Sequence, residues 1–391
     1  MPNPTQAPKV SLLISDLSRQ GGGRWGGAER HFLIAQALQR VGYGVEMVGF
    51  SSDPLPDNLN FEVKTLPRQG NAMFSLLRSL IQGDLVIAYK LKLSSFGLAL
   101  LHRVFHKRPV LLDIDDWEIS WHGGEAWRYR PSLRQLARDV LKPGGELRKL
   151  DHPLYLKWSE SLVPMANQVT THCEFLQNRF GGVHLPNGKD VELFNPHSYD
   201  PQICRAQRGL SQYRVLMFPG APRPYKGIED LLFALDFLDQ KDLKLVIVGG
   251  SPYDNYDDYL RQKWGRHIIQ LPRTSYLKMP ELIAAAHVVV VPQRDHPAAR
   301  AQFPLKLTDG MAMAKPILAT RVGDIPKILS GTGYLADPDQ PLQLANQIES
   351  IFQNYDRALA KGQRARKRCV DFYSLDSMGR ILSRVIDGLL A

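Results

Sequence analysis

Short apolar runs of four to seven residues, rich in Val, Ile and Leu, recur along the chain and alternate with longer stretches in which apolar positions return every three or four residues. The first pattern is that of strands buried on both faces of a parallel sheet, and the second that of helices covering it. In the first half it predicts strands over 10–14, 44–50, 61–66, 85–88, 110–114 and 168–171, and a last one ending at Leu185. Helices are predicted between most of them, over 28–41, 73–81 and 95–105 and from about Cys173. The turn chemistry of Pro186-Asn-Gly188 and the polar, Pro-containing stretch 195–212 interrupt the alternation, which places a linker there. Strands then resume over 214–218, 243–248, 288–291 and 316–319, with helices over 227–238, 256–264, 280–286 and 305–313. Beyond Pro338 the pattern is helical. The expected fold class is α/β, with one domain over 1–195 and a second over 196–375.

A chain of 391 residues can bury two cores of ordinary size. With 44% hydrophobic and 23% charged residues, and no apolar run of bilayer-spanning length, it reads as globular. Residues 1–9 are polar and Pro-rich and do not resemble a secretory signal, so a cytoplasmic location is expected. Cys173, Cys204 and Cys369 are far apart, show no metal-type spacing and fit reduced thiols. The net charge of +10 calls for an anionic partner. Part of it is concentrated at 127–158, where eight Lys or Arg face three acids and Trp127, Tyr129, Tyr155 and Trp158 are interleaved. Two readings stay open for this insertion, taken as 117–158: a solvated, partly helical excursion, or a face resting on an anionic membrane surface or an acidic acceptor. No nucleic-acid module accompanies the charge, so nucleic acid is not an expected partner.

The stretch from Arg300 to Thr320 reads as a loop, a helix opened by Pro304 and a short strand, with Lys306 and Asp309 set among apolar residues. The unpaired N–H groups of such a first turn, backed by the helix dipole, suit a phosphate or a sugar hydroxyl. Leu305-Lys-Leu-Thr-Asp-Gly-Met-Ala-Met-Ala-Lys-Pro316 resembles the donor-site motif of the retaining GT-B glycosyltransferases. Gly26-Gly-Ala-Glu29, Leu185-Pro-Asn-Gly188 and Pro219-Gly-Ala-Pro-Arg-Pro-Tyr-Lys-Gly227 match that family in the expected order, across nearly the whole chain. The resemblance implies a GT-B fold, two Rossmann-like domains facing a cleft, with residues 376–391 packing back on the N-terminal domain. It also implies transfer of a sugar from a UDP- or GDP-sugar to a hydroxyl of a glycan, lipid-linked or small-molecule acceptor, with retention of configuration. No metal or other cofactor is required by that chemistry.

Within this frame Arg223 and Lys226, on an exposed loop after a strand, are expected to neutralise the departing diphosphate. Asp309 stands where the family has the second glutamate of an E-x7-E motif and is expected to hold the ribose hydroxyls. The first glutamate would fall at Ala301, so Gln302 or Arg300 is expected to fill its space. Phe303, Pro304, Leu305 and Lys306 complete the donor run, with Gly249, Gly250 and Arg273 near the nucleotide and Gly27 near its phosphates. Gly26, Asp115, Asp116 and His122 are the expected acceptor-side residues.

Three rival readings share these residues. Gly21-Gly-Gly-Arg-Trp-Gly26 satisfies G-x-G-x-x-G, and Glu46 follows at the distance of a ribose-binding acid, as in a nicotinamide enzyme. Asp16 to Gln20 separate these glycines from the strand, however, and Arg24 and Trp25 would crowd a pyrophosphate. Asp113-Ile-Asp-Asp116 also resembles a metal-holding D-x-D. A nucleotide-sugar epimerase, finally, would share the two-domain shape, and the absent glutamate leaves room for a non-catalytic nucleotide-sugar-binding or membrane-associated protein.

Overall fold

A computed structural model describes residues 8–18, 29–51, 61–67, 76–142, 144–251 and 254–391. Seven strands form one sheet: β1 (Lys9–Ile14), β2 (Gly44–Phe50), β3 (Glu62–Leu66), β4 (Leu85–Tyr89), β5 (Val110–Ile114), β6 (Gln168–Thr171) and β7 (Val183–His184). Its order is β3-β2-β1-β4-β5-β6-β7, and every neighbouring pair is parallel. Six more strands form a second parallel sheet: β8 (Arg214–Pro219), β9 (Leu243–Val248), β10 (Ile268–Leu271), β11 (Val288–Val291), β12 (Ile317–Thr320) and β13 (Tyr334–Ala336), in the order β10-β9-β8-β11-β12-β13. Both are doubly wound: the direction of winding reverses beside β1 in one and beside β8 in the other, which is where such sheets bind ligands.

The contacts divide the chain into two units, Met1–Pro186 with Met378–Ala391, and Asn187–Ser377. The boundary expected at 195/196 therefore falls inside the second unit. The stretch read as linker carries a short helix, Pro201–Ala206, whose cap Asp200 accepts from the amides of Gln202 and Ile203 at 2.7 and 3.1 Å. The polarity that suggested a linker is capping chemistry.

The second unit shows why these residues make these elements. All four valines of β11 are fully buried, as a strand covered on both faces requires. The helix Ile228–Leu238 buries Ile228, Leu231, Leu232 and Leu235, one stripe at helical spacing, in a core with Leu216, Phe218 and Ile247. Each such side chain contributes about 1.5–3 kcal/mol. In the first unit the helix Arg30–Arg40 buries Phe32, Leu33, Ile34 and Leu38 in the same manner. The last helix, Leu375–Leu390, adds Met378, Leu382 and Ile386 to the buried set. It comes so close to Arg30–Arg40 that a Cβ on Gly379 would lie 2.7 Å from the Ala37 carbonyl oxygen. Tyr43 donates to Asp387 at 2.6 Å beside it.

Glu46 does not serve a nucleotide. It lies near the start of β2, fully buried, and binds the ammonium groups of Lys9 and Lys64 at 2.7 and 2.9 Å, the Ser11 hydroxyl at 2.5 Å and the Gln82 amide at 2.7 Å. Burial would raise its pKa, but hydrogen bonds from Lys9, Ser11 and Lys64 outweigh that and hold it at about 2. This saturated acid sits at the end of the sheet opposite to the ligand edge, which removes the acidic partner the dinucleotide fingerprint needs.

Candidate functional site

In the second unit the loop after β8 builds a cationic corner. Gly220 (φ 133°) leaves the strand, Arg223 caps a single 3-10 turn, Pro224–Lys226, and Gly227 (φ 67°) starts the helix Ile228–Leu238. Gly227 is required twice, because a Cβ there would also lie 1.7 Å from the Pro292 carbonyl oxygen. Lys226 is not the exposed loop residue expected. It is half-buried, and its Nζ donates to the Ala221 carbonyl at 3.1 Å. Lys306, from the first turn of the helix Leu305–Ala312, reaches the same corner. Its Nζ stands 4.7 Å from the Phe218 ring centroid, and its Cε lies 3.9 Å from where a Cβ on Gly220 would be.

Burial pulls the Lys226 pKa well below an ordinary lysine's, and the neighbouring charges of Lys306 and Arg223 push it the same way. Burial brings Lys306 down to about 8, against the pull of Asp309. Neither lysine has a salt-bridge partner among the described residues. Like charges gathered under low dielectric are unfavourable when alone and become favourable around an anion.

Asp309 lies one turn beyond Lys306 and is largely buried. Its Oδ1 is held by Lys189, a residue the sequence reading passed over although it directly follows Pro186-Asn-Gly188. Lys189 is itself buried, 4.3 Å from the Phe194 ring centroid and 5.3 Å from that of Tyr276. Burial lowers the pKa of this ammonium, yet Asp309 carries it above the ordinary lysine value. The ammonium therefore keeps its charge. The Asp309 carboxylate oxygen Oδ2 has no hydrogen bond among the described residues, so one oxygen is open to a ligand hydroxyl.

Ala301 is fully buried after the short helix Pro297–Arg300. Of the two side chains expected to fill the glutamate's space, Arg300 is exposed and paired with Asp295 at 2.5 and 2.6 Å. Gln302 is half-buried and donates to the Tyr225 hydroxyl at 3.5 Å, next to Lys226. Pro304 is the N-cap, one place before the first turn, while Phe303 is buried 5.9 Å from the Tyr373 ring and Leu305 is half-buried. Gly249 (φ 92°) and Gly250 follow β9, where a Cβ on Gly250 would meet Asp257 Oδ2 at 2.9 Å. Arg273 follows β10 and is exposed, its Cα 4.0 Å from where a Cβ on Gly249 would be. All of these residues lie beyond the carboxyl ends of β8, β9, β10 and β11.

The carboxyl edge of the first unit is acidic. Asp113 is buried and takes Arg30 in two bonds of 2.7 Å and the Thr170 hydroxyl at 2.7 Å, so it cannot share a cation with Asp115. Among the described residues no three His, Cys, Asp or Glu side chains converge as a metal site. Asp115 accepts from the Tyr89 hydroxyl, and Lys90, at the end of β4 with φ 72°, places its Nζ 3.5 Å from Asp115 and 3.3 Å from Glu118. Asp116 accepts from the Trp121 indole at 3.0 Å, and burial pushes its carboxyl up.

Glu29 and His31 join this cluster unannounced. Burial raises Glu29 to about 8 and takes His31, fully buried 3.7 Å from Glu29, down to about 3. Glu29 closes the Gly-Gly-Ala-Glu motif, and that was its available signal. His122 is exposed at the end of the turn Glu118–His122. Gly26 and Gly27 lie outside the described residues.

Residues 213–354 match the profile of the family described as "Glycosyl transferases group 1". The D-inositol 3-phosphate glycosyltransferase of Corynebacterium diphtheriae is 26% identical over 397 aligned positions, which cover 93% of this chain and 90% of that protein. Over residues 213–354 the chain is therefore similar to the group 1 glycosyl transferases. A narrower match is an uncharacterised glycosyltransferase of Methanocaldococcus jannaschii, 27% identical over 158 residues, 40% of this chain and 43% of the relative. The chain thus spans less than half the length of that relative. The GT-B fold is shared with Anabaena HepE, solved in complex with UDP and glucose, at a TM-score of 0.74 over 97% of this chain and 99% of that one, with 16% identity.

Proposed function

We propose that this protein is a group 1 glycosyl transferase that moves a sugar from a nucleoside-diphosphate sugar to a hydroxyl acceptor with retention of configuration, and that the corner formed by Arg223, Lys226 and Lys306 receives the donor diphosphate. One observation carries the reading: two lysines without salt-bridge partners gather beside an arginine at the switch point of the second sheet. As the bond between sugar and diphosphate breaks, negative charge grows on the leaving phosphate. Cationic groups already in place stabilise that charge without reorganising. Asp309, oriented by Lys189, holds a ribose hydroxyl through its second oxygen, and Gln302 faces the sugar. UDP is the nucleotide in the HepE complex; UDP and GDP donors both fit the chemistry proposed here. The acceptor, a glycan, a lipid-linked saccharide or a small polyol, binds the acidic edge of the first unit through Asp115, Asp116 and Glu29. The leaving phosphate takes the acceptor proton, so no strong protein base is needed.

The test is nucleotide release from a panel of UDP- and GDP-sugars, with and without acceptors, by wild type and Lys226→Ala. The variant should lose about 10²–10³ in turnover, the usual effect of removing one group that stabilises transition-state charge. Its thermal midpoint should hold, because the like-charge repulsion of Lys226 with Lys306 and Arg223 goes with it. Turnover within a few fold of wild type would refute the phosphate role. Donor consumption that needs no acceptor would point to an epimerase instead.

A further inference from the structure

The helix Leu133–Leu141 turns the wrong side to the protein. At 100° per residue, Leu133, Leu136, Ala137, Val140 and Leu141 fill one continuous arc of about 140°. Asp139 lies on the opposite side, and it is the one residue of this helix that is buried. The helix is attached through that polar side: Tyr129 donates to Asp139 at 3.2 Å, and a Cβ on Gly145 would lie 2.1 Å from the Asp139 carbonyl oxygen. The apolar arc faces water, with Leu133 88%, Leu141 72%, Val140 45% and Leu136 39% exposed. An ordinary surface helix does the reverse.

The helix needs no partner to form. Ser132 and Gln135 close a capping box at its start, at 3.2 and 2.9 Å, and Arg148 donates to the Val140 carbonyl at 2.9 Å near its end. The aromatic residues interleaved in this insertion are not part of the free face. Trp127, Tyr129 and Tyr155 pack with His152 at ring distances of 5.2 to 6.2 Å, and only Trp158 of that set is exposed.

Charge says what covers the arc. Arg134 and Arg138 border it and Lys142 follows it, all three exposed, with Arg128 and Arg130 just before the helix. Arg130, Arg134 and Lys142 have no ion-pair partner among the described residues. A second copy of this chain would bring the same cations against themselves across a two-fold axis. One face of a nine-residue helix is also smaller than the roughly 800 Å² per partner of a stable interface. An anionic bilayer supplies both terms, a boundary for leucines and phosphates for the flanking cations.

We propose that Leu133–Leu141 is an interfacial helix that docks the first unit on an anionic membrane surface, its leucines entering the headgroup boundary and Arg134, Arg138 and Lys142 meeting lipid phosphates. This docking does not rest on the transferase reading. The full chain, sedimented with phosphatidylcholine vesicles with and without phosphatidylglycerol, should pellet only with the anionic vesicles, and less as salt rises. The double variant Leu133→Ser/Leu141→Ser removes the two most exposed apolar side chains and should bind at least about tenfold more weakly with an unchanged thermal midpoint. Arg134→Glu/Lys142→Glu should do the same by charge alone. Wild type left in the supernatant, equal binding to neutral vesicles, or binding unchanged in both variants would overturn the proposal. A concentration-dependent dimer that the serine variant abolishes, without vesicle binding, would assign the face to a second copy.

Discussion

Lys226 and Lys306 hold their protons less firmly than ordinary lysines because both lose water around the ammonium, and that makes nucleotide binding visible as proton uptake. With Lys306 at about 8, half of it is neutral at pH 8, and burial pulls Lys226 well below an ordinary lysine too. A bound diphosphate raises both values by its charge. Titration of UDP at pH 8 in buffers of different ionisation enthalpy should therefore show net proton uptake, to which Lys306 alone contributes up to about half a proton per nucleotide. Lys306→Met should reduce it, and no uptake in the wild type would mean that the phosphates bind elsewhere. Lys226 and Asp309 could be read from sequence because each sits in a short motif next to a helix start. Lys189 could not, because the carboxylate that gives it a role is 120 residues away. His31 gave no signal either, since a lone histidine in an apolar helix looks like any core residue until the carboxylates around it are known.

At the scale of elements, the loop from Gly220 to Gly227 is rigid where its charges matter. Gly227 cannot carry a side chain without shifting away from the Pro292 carbonyl, and the left-handed backbone adds about 1–2 kcal/mol for any other residue. Gly227→Ala should lower the thermal midpoint by several degrees and weaken UDP binding at least about tenfold, because Arg223 and Lys226 move with the loop. Wild-type affinity in that variant would mean that the loop does not position the phosphates. Most strands were legible here because buried parallel strands are nearly pure apolar runs. β10 and β13 were not: Ile268–Leu271 is half-buried throughout, Tyr334–Ala336 is three residues long, and both lie at sheet edges where the pattern is diluted. The helix Leu133–Leu141 kept a clear helical period, but period alone does not say which side meets solvent.

For the molecule as a whole, acid should act through groups whose partners are internal. Glu46 titrates at about 2 in the folded chain and near 4.5 when unfolded, so its contribution is present above about pH 4.5 and lost as pH falls toward 2. It amounts to at most about 3 kcal/mol, since Lys9 is partly in water. His31 acts in the same direction over a higher window. It is neutral when folded down to about pH 3 and protonates below about 6.5 when unfolded, so it favours the unfolded chain increasingly across that range. Denaturant midpoints should fall steadily from about pH 4.5 to pH 3, below the range in which the raised Glu29 and Asp116 offset His31 by taking up protons in the folded chain. Glu46→Gln should be less stable at pH 7 and show a flatter fall below pH 4.5; a parallel curve would mean that Glu46 is not the acid being titrated.

The last helix has a consequence for how the protein is made. A ribosome delivers the seven strands of the first sheet early, yet Met378, Leu382 and Ile386, which belong to the same unit, emerge only after the whole second unit has been translated. The second unit can therefore mature on the nascent polypeptide while the first waits with an unsealed apolar flank against Ala37 and Val41. Nascent chains stalled before residue 378 should accordingly recruit chaperones and be clipped by protease in their first half, not their second.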